Sequence, residues 1–160
     1  TWLPSDGADT YRVKRSLVRS GPFLLVAEVT QAVFVDLTVT NGTKYFYRVS
    51  ALNEGGESKD SNRASAIPAP VPAPPTGISA VTGSSAGEID LSWSASSWAT
   101  AYKVRRSSTS GGPYAWSKKV TTRNFTASGL MSGKRYYYVV SALNATGESG
   151  PSVEVSAIVR

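Results

Sequence analysis

The chain has 160 residues, with 17 Lys and Arg against 11 Asp and Glu, a net charge of +6, and neither cysteine nor histidine. That composition excludes disulfide frameworks, thiolate nucleophiles, imidazole bases and the usual zinc sites. It holds no run of eighteen apolar residues and no charged-then-apolar leader, so neither a membrane span nor a signal peptide is expected within it.

The chain repeats itself. Tyr45-Phe46-Tyr47-Arg48-Val49-Ser50-Ala51-Leu52-Asn53 returns as Tyr136-Tyr137-Tyr138-Val139-Val140-Ser141-Ala142-Leu143-Asn144, an offset of 91. Trp2 with Trp93, Tyr11 with Tyr102, Phe34 with Phe125 and Gly56-Glu57-Ser58 with Gly147-Glu148-Ser149 keep the same offset. A fixed period of this kind marks an array of modules.

The first unit, residues 1–68, has one residue ahead of Trp2, whereas eighteen residues run from Pro75 to the one before Trp93. It is therefore expected to lack the opening strands of its twin. That leaves the apolar face beneath Tyr11, Val13, Tyr47 and Val49 open on one side, to be covered by the upstream residues of a longer parent chain, the favoured expectation, or by a strand from another domain or chain. Residues 69–74 are rich in alternating proline and predict an extended, semi-rigid spacer.

In the second unit, residues 75–160, short β-branched and aromatic runs alternate with Gly, Ser, Asn and Pro clusters. They predict strands at 77–81, 88–93, 101–107, 114–120, 124–127, 134–144 and 152–158, with no helix. Period-two alternation points Ile89, Leu91, Trp93, Tyr102, Val104, Tyr138, Val140 and Ala142 inward, and Lys103, Arg105, Tyr137 and Val139 outward. Seven strands at this spacing predict a β-sandwich. Charge is uneven: nine Lys and Arg against four Asp and Glu here, eight against seven in the first unit.

Pro74-Pro75-Thr76-Gly77, Leu91-Ser92-Trp93, Ala101-Tyr102-Lys103-Val104, Gly129-Leu130, the run from Gly133 to Ala142 and Gly147-Glu148-Ser149 together resemble a fibronectin type III domain over nearly the whole second unit. The fold class that follows is all-β, two such sandwiches in tandem, the first lacking strand A and most of strand B. The resemblance implies structural roles for Trp93 and its twin Trp2. It also implies a tyrosine corner formed by Tyr136 with Leu130, and by Tyr45 with Val39. Ser107-Ser108-Thr109-Ser110-Gly111-Gly112-Pro113-Tyr114 is most similar to the bacterial versions, which sit in secreted multi-modular polysaccharide-degrading enzymes.

Three functions follow. The leading one is a non-catalytic, extracellular spacer between neighbouring domains of a larger chain, with no cofactor, metal, nucleic-acid partner or catalytic residue. The second is a binding module for acidic polysaccharide, on a basic and aromatic platform of Trp116, Lys103, Arg105, Tyr137 and Lys118, with Trp98 in the loop after strand B. Trp116 and Trp98 carry this reading because the matching positions of the first unit are Leu25 and Gly7. The third is an adhesion or receptor fragment that binds a protein.

Overall fold

A computed structural model describes residues 1–160 and contains strands, turns and bends but no helix. The chain divides into two compact units, Thr1–Ala69 and Pro70–Arg160.

The first unit is a single sheet. β1 (Thr10–Ser16) lies between β2 (Leu24–Val29) and β3 (Tyr45–Asn53), while β4 (Gly56–Glu57) and β5 (Ala64–Ala66) pair with β3. Tyr11, Val13 and Tyr45 are buried, but no second sheet faces them, and Leu3, Leu17, Leu24, Val35 and Leu37 are exposed. Gln31–Thr40, the counterpart of a strand in the second unit, forms no strand, although Trp2 N–H still reaches the Ala32 carbonyl at 3.2 Å.

The second unit is a two-sheet sandwich. One sheet runs β10-β7-β6, from β6 (Ser79–Thr82), β7 (Ile89–Ser92) and β10 (Asn124–Ala127). The other runs β12-β11-β8-β9, from β8 (Ala101–Ser107), β9 (Trp116–Val120), β11 (Arg135–Leu143) and β12 (Val155–Ile158). Gly83 closes the β6–β7 hairpin because a Cβ there would meet Glu88 Cβ at 2.5 Å.

All eight side chains expected to point inward lie in one buried cluster, joined by Ala127, Leu130, Ala157 and Val159. Burying such side chains is the main source of stability in a sandwich of this size, about 1.5–3 kcal/mol for each large aliphatic one. Val139 differs from expectation. It lies on the outer face with Tyr137 and Ser141, opposite Arg105, yet is 5% exposed, because a central strand is shielded by its long neighbours on both faces.

The strands expected at 77–81, 88–93, 114–120 and 134–144 have ends shifted by one or two residues, and two further differences each have a local reason. β12 starts at Val155 rather than at 152. Pro151 has no N–H, and the Ser149 and Ser152 hydroxyls instead accept from Ala142 N–H at 2.9 Å and Val140 N–H at 3.0 Å, so the regular ladder begins later. The stretch expected to stand free as a spacer is seated on the second unit from Pro70 onward. Asn144 Nδ2 donates to the Pro70 carbonyl at 2.6 Å, Val71 lies against Gly147, and Pro72 and Pro75 are buried.

Candidate functional site

The outer face of the β8–β11 sheet is organised around Glu148. Its carboxylate accepts from the buried Ser141 hydroxyl at 2.6 Å, pairs with Arg105 and lies 3.5 Å from Lys103 Nζ. Arg105 also donates to Ser141 Oγ at 2.9 Å. The Ser141 hydroxyl first, with the Arg105 guanidinium behind it, outweighs the opposing effect of burial and holds the Glu148 carboxyl below the usual range.

The first unit repeats this network at the same offset. Glu57 accepts from Ser50 at 2.6 Å, Lys14 at 2.7 Å and Arg12 at 2.7 Å. Lys14, then Ser50 and Arg12, pull the Glu57 carboxyl down to about 2. The Gly-Glu-Ser motif is thus a charge anchor for two cations of the neighbouring strands. The repetition was visible in the sequence, but its role depends on strand register.

The expected basic and aromatic platform does not assemble on one face. Lys103, Arg105 and Tyr137 share the outer face, where both cations are engaged by Glu148. Trp116 pairs with Arg106 and Lys118 with Val104, which puts both on the opposite, core-facing side at the sheet edge. There Trp116 packs on Phe125 with ring centroids 5.7 Å apart, and the Arg106 guanidinium lies 4.8 Å from its indole. Lys118 is exposed. The physical reason is parity: a shift of one residue in the edge-strand register exchanges faces.

Trp98 stands apart from all of these, in the loop between β7 and β8, 47% exposed and with φ of +67°. The other aromatic positions are structural. Trp93 meets Tyr102 edge-on at 5.5 Å, and Trp2 meets Tyr11 at the same distance. Tyr136 Oη accepts from Met131 N–H at 3.4 Å, and Tyr45 Oη from Thr40 N–H at 3.0 Å. Each corner therefore closes on the residue after the expected Leu130 or Val39, while Leu130 itself is buried in the core.

Two polar clusters escaped the sequence reading. Glu154 gathers Ser110 Oγ at 2.7 Å, Gly111 N–H at 2.9 Å and the Tyr114 hydroxyl, tying the β8–β9 loop to the approach to β12. In the first unit, Asp36 accepts from Tyr47 Oη at 2.9 Å, Arg15 at 2.9 Å and Thr38 N–H at 3.0 Å. Burial opposes ionisation of Asp36, but these donors, Thr38 foremost, win and lower its carboxyl. The signal for it lay in the repeat, since the matching residue of the second unit is Ala127.

Chemically, these carboxylates are already saturated with donors and held in the ionised form. A general acid needs the reverse, a carboxyl raised toward neutrality and facing a substrate cleft. No group of three or more acidic side chains is arranged to hold a metal ion. No helix is long and apolar enough to cross a membrane.

The family model described as the fibronectin type III domain matches residues 73–158. An amylopullulanase of Thermoanaerobacterium thermosulfurigenes is 49% identical over 71 residues, which cover 43% of this chain and 4% of that protein. A poly(3-hydroxybutyrate) depolymerase of Ralstonia pickettii is 39% identical over 87 residues, covering 54% of this chain and 16% of that protein. The chain thus spans a small fraction of the length of the curated relatives it matches. Among solved structures, the FN1–FN3 domains of chicken CNTN1 align over 96% of this chain and 55% of theirs, with a TM-score of 0.73 and 25% identity. An Fn3-like protein from Clostridium thermocellum aligns over 55% of this chain and 93% of its own, with a TM-score of 0.52 and 43% identity.

Proposed function

The chain belongs to the fibronectin type III family, and from that membership we propose that it is a non-catalytic spacer pair in an extracellular polysaccharide-degrading protein, holding a catalytic domain and a carbohydrate-binding domain apart. The observation that carries this reading is the saturation of every cluster just described. Glu57, Glu148, Glu154 and Asp36 all hold the sheets or loops of their own unit together, leaving no reactive group poised in a cleft. The similarity to small segments of amylopullulanases supports a setting in which the polymer attacked is a neutral glucan.

The acidic-polysaccharide reading loses its basis in this arrangement, because an anion at Lys103 and Arg105 would have to displace Glu148. The spacer reading is tested by linkage. The chain is fused between a starch hydrolase domain and a glucan-binding domain, and separately added in trans to the same two domains. Fusion is expected to raise turnover of granular starch about twofold or more through effective concentration, and to leave turnover of a short soluble oligosaccharide unchanged. Equal stimulation in trans, or none in cis, contradicts it.

A further inference from the structure

The loop between β7 and β8 exists in two copies, and the copies differ in a directed way. In both, a serine N–H donates to the hydroxyl of the following core tyrosine: Ser5 to Tyr11 at 2.9 Å, Ser96 to Tyr102 at 3.1 Å. In both, the alanine three residues on donates back to that serine's carbonyl: Ala8 to Ser5 at 3.3 Å, Ala99 to Ser96 at 3.2 Å. The backbone conformation between them is left-handed in each copy. Gly7 has φ of +72°, and its counterpart Trp98 has +67°.

Glycine adopts that conformation without strain, whereas a bulky side chain does so at a cost. Trp98 is the one non-glycine residue of the chain with positive φ. The core does not take it up either, since 47% of it is exposed, a large share of an indole left facing solvent. The first copy shows that the turn closes without an indole. Strain held at an exposed aromatic side chain points to a task outside the fold.

The neighbouring substitutions say what kind of task. Asp6 and Asp9 of the first copy become Ser97 and Thr100, and no charged residue occurs between Trp93 and Lys103. Ser94, Ser97 and Thr100 are exposed around the indole in sequence. The loop is also anchored on both sides, by Ser94 N–H to the Thr76 carbonyl at 2.9 Å and Thr100 N–H to the Leu143 carbonyl at 2.8 Å. An exposed indole on a fixed loop, flanked by neutral hydroxyls and stripped of carboxylates, suits the apolar face and hydroxyl rim of an uncharged pyranose ring.

We propose that Trp98 is a stacking site for a neutral polysaccharide, so that the second unit touches the polymer as well as spacing its neighbours. The choice of a neutral glucan rests on the setting proposed above. The stacking itself rests on the loop.

The test is affinity electrophoresis of the full chain in gels containing amylopectin, pullulan or polygalacturonate, with melting temperature measured in parallel. The expected result is retardation by at least one neutral glucan. Trp98→Gly should weaken it about tenfold or more, about 1.4 kcal/mol, with a melting temperature unchanged or raised. Trp98→Phe should retain part of it. No retardation of the wild-type chain by either neutral glucan overturns the proposal, as does equal retardation of Trp98→Gly, or a marked fall in its melting temperature, which would make Trp98 structural. Retardation confined to polygalacturonate and surviving Trp98→Gly is charge attraction alone and likewise overturns it. The fusion that tests spacing is also made with Trp98→Gly: stimulation in cis that persists there supports spacing independently of this site, and the electrophoresis is read on the unfused chain.

Discussion

Replacing Glu148 with alanine removes the anchor of the outer face of the second unit. The Ser141 hydroxyl, fully buried, loses its acceptor, and Arg105 and Lys103 lose their counter-charge. A hydrogen bond to a charged group contributes about 1.5–3 kcal/mol, and the Ser141 O–H left without an acceptor adds to the loss, although its oxygen keeps the Arg105 donor. The half-exposed Lys103 pair adds little. The expected destabilisation is about 2–3 kcal/mol, or roughly 8–24 °C for a unit of this size.

Urea unfolding followed by tryptophan fluorescence reads this directly, because three of the four tryptophans lie in the second unit. The midpoint should fall at unchanged slope. The sign of the pH dependence follows from the depressed carboxyl. Its contribution is complete above the ordinary value of 4.5 and is lost as pH falls through the lower folded value, so the difference between Glu148→Ala and the wild type shrinks below about pH 4.5. A loss under about 0.5 kcal/mol at pH 7, or a difference that grows in acid, would mean that Glu148 does not anchor this face.

Tyr47, Tyr114 and Tyr138 are each pushed up to about 12, by burial first of all, with Asp36 adding to Tyr47 and Glu154 to Tyr114. Their folded values lie above the ordinary 10, so the stability they contribute is complete below pH 10 and lost as pH rises through 12. Ultraviolet titration should show these phenols ionising late, together with unfolding, and a single transition near pH 10 for all tyrosines contradicts this. Val140→Ala should cost about 2–3 kcal/mol, whereas Val49→Ala at the matching position should cost about 1, because Val140 is fully buried between two sheets and Val49 only partly. Equal losses, measured by calorimetry of the full chain, would mean that the first unit is as well covered as the second.

The fold was largely legible because alternation in the second unit is clean. Ala101–Ser107 and Asn124–Ala127 are strands with the bounds read from sequence, and the eight inward side chains form the core. What escaped depends on register and on non-local pairing. Trp116 sits on an edge strand, where the preceding loop sets the phase, and one residue decides which face it joins. In the first unit, β2 shows how easily that phase moves: its pairing with β1 slips between Val13 and Lys14, so that Leu25, the counterpart of Trp116, lies opposite Lys14. Glu148 was conspicuous as part of a repeated motif, but only the return of Gly147–Ser149 along β11 brings it to Ser141 and Arg105. The proline run reads locally as a free strut, and nothing in its own residues announces that Asn144 will hold it.

The proposal that this chain is architecture for chemistry located elsewhere is put to its sharpest test by substituting unrelated architecture. In a fusion of a starch hydrolase domain, this chain carrying Trp98→Gly, and a glucan-binding domain, the chain is exchanged either for an unrelated pair of β-sandwiches or for a Gly/Ser linker of equal residue count. Turnover of granular starch should be kept with the unrelated pair and fall with the flexible linker, whose ends spend much of their time close together. Loss of turnover with the unrelated pair, while all three fusions hydrolyse a soluble oligosaccharide equally, would show that this chain contributes something specific that a spacer does not.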